Sequence, residues 1–194
     1  MQQSIQSSLK NFTIEGQEPY LDSIVLHSPL ETLEDTFTVW KAFESYYPHT
    51  IRNIGISNTT PEIVAALVQE MKVKPAVVQN RFFYKERFAV PIRKFCRDND
   101  ILFQSFWTLS ANPNLVNSKP VLEVAQKVGV DIAAAYYSLV IGLEGVTILD
   151  GTTDEEHMKE DLAGLEKVGV WAEGQGAADW EAALQSFKSF IKEP

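Results

Sequence analysis

The sequence predicts an α/β fold of about five parallel strands, each followed by helix, and three observations predict it. Short apolar runs rich in β-branched residues alternate with longer stretches whose apolar residues recur at helical spacing. The short runs are apolar at consecutive positions, as in strands buried on both faces of a parallel sheet. Several helical stretches open on capping chemistry, a Thr or Ser followed by Pro or by a Glu three residues on, which marks where loop gives way to helix.

The first strand is expected over Leu21 to Leu26. After it, Leu33, Phe37, Trp40 and Tyr47 form one helical stripe behind an acidic first turn at Glu31 and Glu34. Ile51 to Ile56 is the second strand; Thr60 then caps and Pro61 opens a helix that turns Ile63, Val64, Leu67 and Met71 inward. Ala76 to Gln79 and Ile101 to Phe106 are the third and fourth strands. Ser118 and Pro120 start a helix carrying Val121, Val124 and Val128, and Val130 to Leu143 reads as one more. Val146 to Leu149 is the fifth strand. Thr153 with Glu156 forms a capping box for a helix through Met158, Leu162 and Leu165. Beyond Gly174 and Gly176, the residues Trp180, Leu184, Phe187 and Ile191 make a terminal amphipathic helix. No linker, internal repeat or composition shift interrupts the chain, so 1–194 reads as a single domain with 174–194 as a C-terminal extension helix.

Charge narrows the partners. The chain carries 26 acidic residues against 17 basic ones, a formal net charge of -9, which argues against nucleic acid. At 194 residues, 45% hydrophobic and 22% charged, the composition is that of one globular core. No apolar run reaches the roughly 18 to 20 residues of a membrane span, and the first twenty residues lack a basic region and an apolar stretch. Cys96 is the single cysteine, and no metal-ligand spacing is present. A cytoplasmic protein that binds neither membrane nor metal is the expectation. The strands fit either an open doubly wound sheet or part of a (β/α)8 barrel; the Gly-rich phosphate fingerprint of dinucleotide-binding sheets follows no candidate strand.

Strand ends separate these options, because barrel chemistry gathers at the C-terminal ends of strands. The segments YLDSIVLHSPL, IRNIGISN, KPAVVQNRF and ILFQSFWTL resemble the aldo-keto reductase superfamily in order and spacing, and HMKEDL resembles the stretch before its last barrel helix. The likeness runs from about Ser4 to Val168. It implies an N-terminally truncated, incomplete TIM barrel, open on the N-terminal side, with strands four to eight present and Met1 inside the helix before strand four. It further implies an NAD(P)-dependent oxidoreductase acting on a small carbonyl compound. Of the family's catalytic Asp, Tyr, Lys and His, only the His has a counterpart, His27; the alternative for that residue is a histidine merely satisfied at the rim. Ser57, Asn58 and Gln79 match the residues that hydrogen-bond the nicotinamide carboxamide, and Phe106 stands where an aromatic ring stacks on the nicotinamide. Ser57 and Asn58 could instead begin a turn, and Phe106 could be core.

At the phosphate end the family's Lys-Ser run is replaced by Gly151 and Thr152, and an Arg by His157, among Asp150, Asp154, Glu155 and Glu156. Thr152, Thr153, His157 and the helix N-terminal amides remain as cofactor-binding groups, so the cofactor is NADP or NAD, with NADP preference weakened by the surrounding carboxylates. The acidic turn also suits helix capping. Trp107 and Trp180 could line a substrate mouth or pack in the body, and Arg81, Phe82, Phe83, Tyr84, Lys85 and Arg87 read as a loop laid against the next helix. Open sheet edges at both ends of a partial barrel predict a homo-oligomer or a partner chain. The functional readings are an oxidoreductase impaired by the missing proton donor, a non-catalytic ligand-binding or interaction module, and a non-redox enzyme using His27 as acid or base.

Overall fold

The computed structural model describes residues 2–193, in which strands and helices alternate as the sequence predicts. They form two compact units: the chain up to Asn80 with Asp98–Leu102, and Arg81–Arg97 with the chain from Phe103 onward.

The first unit holds α1 (Gln2–Asn11), β1 (Leu21–Leu26), α2 (Leu33–Glu44), β2 (Ile51–Ser57), α3 (Pro61–Glu70) and, as far as Asn80, β3 (Val77–Arg81). Its strands are parallel, with Leu21 opposite Ile51, Leu26 opposite Ile56, and Ser57 opposite Gln79. Ile54, Gly55, Ile56 and Ser57 are buried in succession, which is the two-faced burial their apolar run predicts. Gly55 is required here: a Cβ would lie 2.8 Å from the Val77 carbonyl oxygen. Trp40 is wholly buried and donates its indole N–H to the Val73 carbonyl at 2.9 Å, while the Glu44 carboxylate accepts from the Val73 amide at 2.8 Å. Two expectations for α2 change. Its inward residues are Thr36, Trp40 and Phe43, with Leu33 and Tyr47 exposed, because the helix ends at Glu44 before Tyr47 can join the stripe. Thr32 is the cap, accepting from the Asp35 amide at 3.0 Å, so the acidic turn is Glu34 and Asp35 and Glu31 lies outside. Thr60 caps α3 and Pro61 begins it, as expected.

The second unit holds a 3-10 turn (Tyr84–Ala89), α4 (Val90–Asp98, through Arg97), β4 (Leu102–Phe106, from Phe103), α5 (Pro113–Val116), α6 (Lys119–Val128), α7 (Ile132–Ile141), β5 (Val146–Ile148), α8 (Glu155–Glu173) and α9 (Ala177–Ile191). The strands β4 and β5 are parallel, with Phe103 opposite Val146 and Ser105 opposite Ile148. Helix α7 is apolar nearly all round, and buried from Ala134 to Val140, so it forms the centre against which α6, α8 and α9 pack. It starts at Ile132, later than Val130, because Asp131 caps it by accepting from the Ala133 amide at 2.8 Å. The cap of α8 is Asp154, not Thr153: one carboxylate oxygen accepts from the amides of Glu156 (2.9 Å) and His157 (3.4 Å), two orphan donors met by one anion. The buried residues of α8 are Gly164 and Val168; of the three apolar residues read from spacing, Leu165 is half-buried and Met158 and Leu162 are exposed. Among the described residues no single helix is long and apolar enough to cross a membrane.

Candidate functional site

In the first unit the polar strand ends form one hydrogen-bonded cluster. The Ser57 hydroxyl donates to the Gln79 carbonyl at 2.9 Å, and the Asn58 amide N–H donates to that same carbonyl at 3.0 Å. The Asn58 side-chain NH2 donates to the His27 carbonyl at 2.9 Å and to Ser57 Oγ at 3.2 Å. Asn58 can do this because it leaves β2 in the left-handed region, φ 50°, which Asn tolerates better than most residues. Ser57 is buried, Gln79 half-buried, and His27 and Asn58 exposed. The structure thus gathers His27, Ser57, Asn58 and Gln79, and spends the donors of Ser57 and Asn58 on tying three strand ends together. A second pair reinforces the turn: the Thr59 amide donates to Asn80 Oδ1 at 3.0 Å, and Asn80 Nδ2 donates to the Thr59 carbonyl at 2.7 Å.

In the second unit a cleft of about 730 Å³ opens at the ends of β4 and β5. Phe106, Thr152 and His157 line it, and Thr153 is not among its lining residues. Phe106 and Trp107 form an L-shaped aromatic wall, 6.2 Å between centroids at 85°. Trp107 is a bulky residue at φ 57°, 54% exposed, with the Arg81 guanidinium 4.9 Å over its ring. A buried network holds that strained position. The Thr108 hydroxyl donates to Ser105 Oγ at 2.9 Å, and Tyr136 donates to the Thr108 carbonyl at 2.9 Å. Asn112 donates to the carbonyls of Phe82 (2.6 Å) and Thr108 (2.9 Å). Sequence periodicity carries no sign of these long-range bonds; the hint was the placing of Asn112 directly before Pro113, a loop-to-helix junction.

The opposite wall is acidic. The Tyr137 hydroxyl and the Gly151 amide both donate to Asp150 Oδ1, at 2.9 and 2.7 Å. Asp161 stands beside them, its carboxyl pushed up to about 6 by burial first, then by its hydrogen bond with and repulsion from Asp150, with Asp131 adding and His157 opposing. Burial and the neighbouring Asp150 also push the Tyr137 phenol up, so it remains a donor at neutral pH. The groups needed to converge here come from two helices in close contact: a Cβ on Gly164 of α8 would lie 2.5 Å from Ala134 Cβ of α7. Trp180, by contrast, packs on Gly142, whose Cβ would lie 2.9 Å from its ring.

Polar groups at the C-terminal ends of parallel strands, followed by helices, are the arrangement of the α/β class of proteins, βα-barrels among them. Within it, this chain belongs to the aldo/keto reductase family, whose model matches residues 1–119. It is 32% identical over 93 residues to an NADPH-dependent alpha-keto amide reductase of Saccharomyces cerevisiae, a stretch covering 45% of this chain and 30% of that protein. An aldo/keto reductase of Brucella melitensis superposes with a TM-score of 0.73 at 19% identity, covering 95% of this chain and 66% of the other. A Bombyx mori aldo-keto reductase in complex with NADP gives 0.69 at 16%, covering 87% and 60%. The fold is therefore an incomplete (β/α)8 barrel of five parallel strands alternating with helices. The chain spans less than a third of the yeast relative and under two thirds of these barrels.

Proposed function

We propose that this chain binds a nicotinamide dinucleotide and a small carbonyl compound, as an oxidoreductase whose own residues supply the cofactor cradle and not the usual proton donor. The observation that carries the reading is the aromatic wall: a half-buried Phe106 ring lining a cleft of about 730 Å³, with Trp107 edge-on beside it. The volume is that of a small-molecule site, and stacking needs only a flat apolar face. Taken by itself, the strand-end cluster of the first unit, Ser57, Asn58 and Gln79, is suited to hold a carboxamide. Because Asn58 spends its NH2 on His27 and Ser57, its Oδ1 is the group to accept from the carboxamide, while the Ser57 hydroxyl rotates from the Gln79 carbonyl to donate.

A reduced nicotinamide, if bound, would supply a hydride to the carbonyl carbon, and the carbonyl oxygen would take its proton from elsewhere. The family's Asp, Tyr and Lys have no counterpart within residues 1–194, and the resemblance assigns His27 to that oxygen. Loss of a tuned acid costs about 10²- to 10⁴-fold in rate, so slow turnover is expected. A second reading, ligand binding without catalysis, is favoured by the internal engagement of Ser57 and Asn58. Self-association belongs to the same proposal. Strand β5 ends the strand order, and Ile141, Leu149, Met158 and Leu162 lie exposed around it, an edge suited to a second copy or a complementing chain.

Trp107 borders the proposed stacking face, so its fluorescence reports occupancy. Saturable quenching by NADH or NADPH, absent in Trp107→Phe and weakened at least about tenfold in Phe106→Ala, supports the proposal. Quenching that persists unchanged in Phe106→Ala, or none at all, refutes it.

A further inference from the structure

The cleft beside Phe106 carries a charge pattern that separates the two nicotinamide dinucleotides. We infer that it accepts the dinucleotide without a 2′-phosphate, NAD(H), and rejects NADP(H). The inference rests on the nicotinamide reading above and deepens it, since the yeast relative is NADPH-dependent.

Three features of the cleft support it. Its described lining contains Asp131, Asp150, Glu160 and Asp161 and no lysine or arginine. A phosphate monoester, close to dianionic at neutral pH, would sit among fixed like charges with no lysine or arginine to offset them, His157 being the one basic side chain in the described lining. The carboxylates cannot readily swing aside, because Asp131 caps α7 at 2.8 Å and Asp150 is held by the Tyr137 hydroxyl and the Gly151 amide. The helix terminus that could otherwise take a phosphate is already partly filled. Asp154 accepts from the amides of both Glu156 and His157, so two of the first-turn donors of α8 are engaged by an internal anion. Lys159, the cation of that first turn, is held by Glu155 (2.9 Å) and Glu156 (3.0 Å) on the exposed side of the helix.

The same groups suit a ribose with free hydroxyls. Ionised carboxylates only accept, and a vicinal diol only needs acceptors for its two O–H groups. Hydroxyl-to-carboxylate bonds are charge-assisted and among the stronger neutral-to-ion contacts available. Asp150 and Asp161 both line the cleft, and Asp150 lies close enough to Asp161 to raise its carboxyl, so the pair offers neighbouring acceptors.

The test is equilibrium titration of the whole chain with NADH and with NADPH, followed by tryptophan fluorescence and by calorimetry, at low and high salt. NADH should bind at least about tenfold more tightly than NADPH at low salt, with the ratio shrinking as salt screens the carboxylates. The variant Glu160→Lys, which puts a cation into the cleft lining without touching the two carboxylates offered to the diol, should raise NADPH affinity about tenfold or more while changing NADH affinity far less. Should that variant fail to fold, the salt dependence of the wild-type ratio decides alone. Equal affinities, or NADPH the tighter, overturn the inference and leave the nicotinamide reading standing. Binding of neither dinucleotide overturns both.

Discussion

Gly164→Ala places a methyl where two helices already touch. The new Cβ would lie 2.5 Å from Ala134 Cβ, against the roughly 3.5 to 4.0 Å at which carbon atoms rest, so α7 and α8 must part by about 1 Å or more. Overpacking of this kind costs about 1 to 3 kcal/mol, and replacing a helical glycine by alanine returns about 0.8 to 1.0 kcal/mol. At the upper end of that range, which a 2.5 Å approach warrants, the net expectation is a loss of about 2 kcal/mol, or roughly 4 to 8 °C in Tm at this chain length. Ala134→Gly alone should lose a similar amount, through helix propensity and one buried methyl. Together the two changes exchange the methyl from one helix to the other, and should be more stable than their summed effects by at least about 1 kcal/mol. Urea and thermal unfolding of the four proteins measure this. Because α7 brings Tyr137 to the cleft and α8 brings His157 and Asp161, Gly164→Ala should also weaken dinucleotide binding, with the double variant recovering it. A Gly164→Ala protein as stable as the parent, or strictly additive effects, would refute the close-contact argument.

Three further outcomes are expected. Glu193 accepts from Arg93 at 2.8 Å and Arg97 at 3.3 Å, with Arg93 buried and burial lowering its proton affinity. Glu193→Ala should therefore cost about 3 to 5 kcal/mol in urea unfolding, partly recovered by adding Arg93→Met, since the cost comes from a stranded buried charge. For Asp161 the folded carboxyl lies at about 6 against 3.8, so the folded state binds more protons between those values. Stability should fall as pH rises from about 4 through 6, and Asp161→Asn should flatten that slope in pH-dependent melts. At the edge of β5, Leu162→Lys with Met158→Lys should shift sedimentation toward a smaller species if the exposed apolar residues drive association; an unchanged distribution rules that edge out.

Much of the fold was legible because its signals are local. The strand β1 falls on Leu21–Leu26 as read, β2 and β3 differ by one or two residues at their ends, and α3 starts on the Thr60-Pro61 pair. Each follows from consecutive β-branched residues or from a cap whose bonds span three residues. Where the reading slipped, two local signals competed. Thr153 and Glu156 spell a capping box, but Asp154 offers a charged acceptor to two amides at once and wins the position. Met158 and Leu162 keep helical spacing, yet the face of α8 that packs is chosen by Gly164, small enough to meet Ala134. Resemblance at the strand ends singled out Ser57, Asn58, Gln79 and Phe106; in the structure the first three share a hydrogen-bonded cluster in one unit, and Phe106 lines the cleft of the other. What spacing could not reveal was how those groups are used: Asn58 bonding the His27 carbonyl, or Tyr137 and Asp150 closing the acidic wall, are contacts between residues 13 to 31 apart.

The central claim is a cradle for nicotinamide without the family's proton donor, and one stopped-flow trace tests it. The chain is mixed with NADH, energy transfer from tryptophan to the reduced nicotinamide is allowed to saturate, and a small aldehyde is then added. The account predicts a saturable transfer signal, dependent on Phe106, that decays at least about 10²-fold more slowly than with a complete family member. No transfer signal, or a decay as fast as that of the complete enzyme, would contradict it.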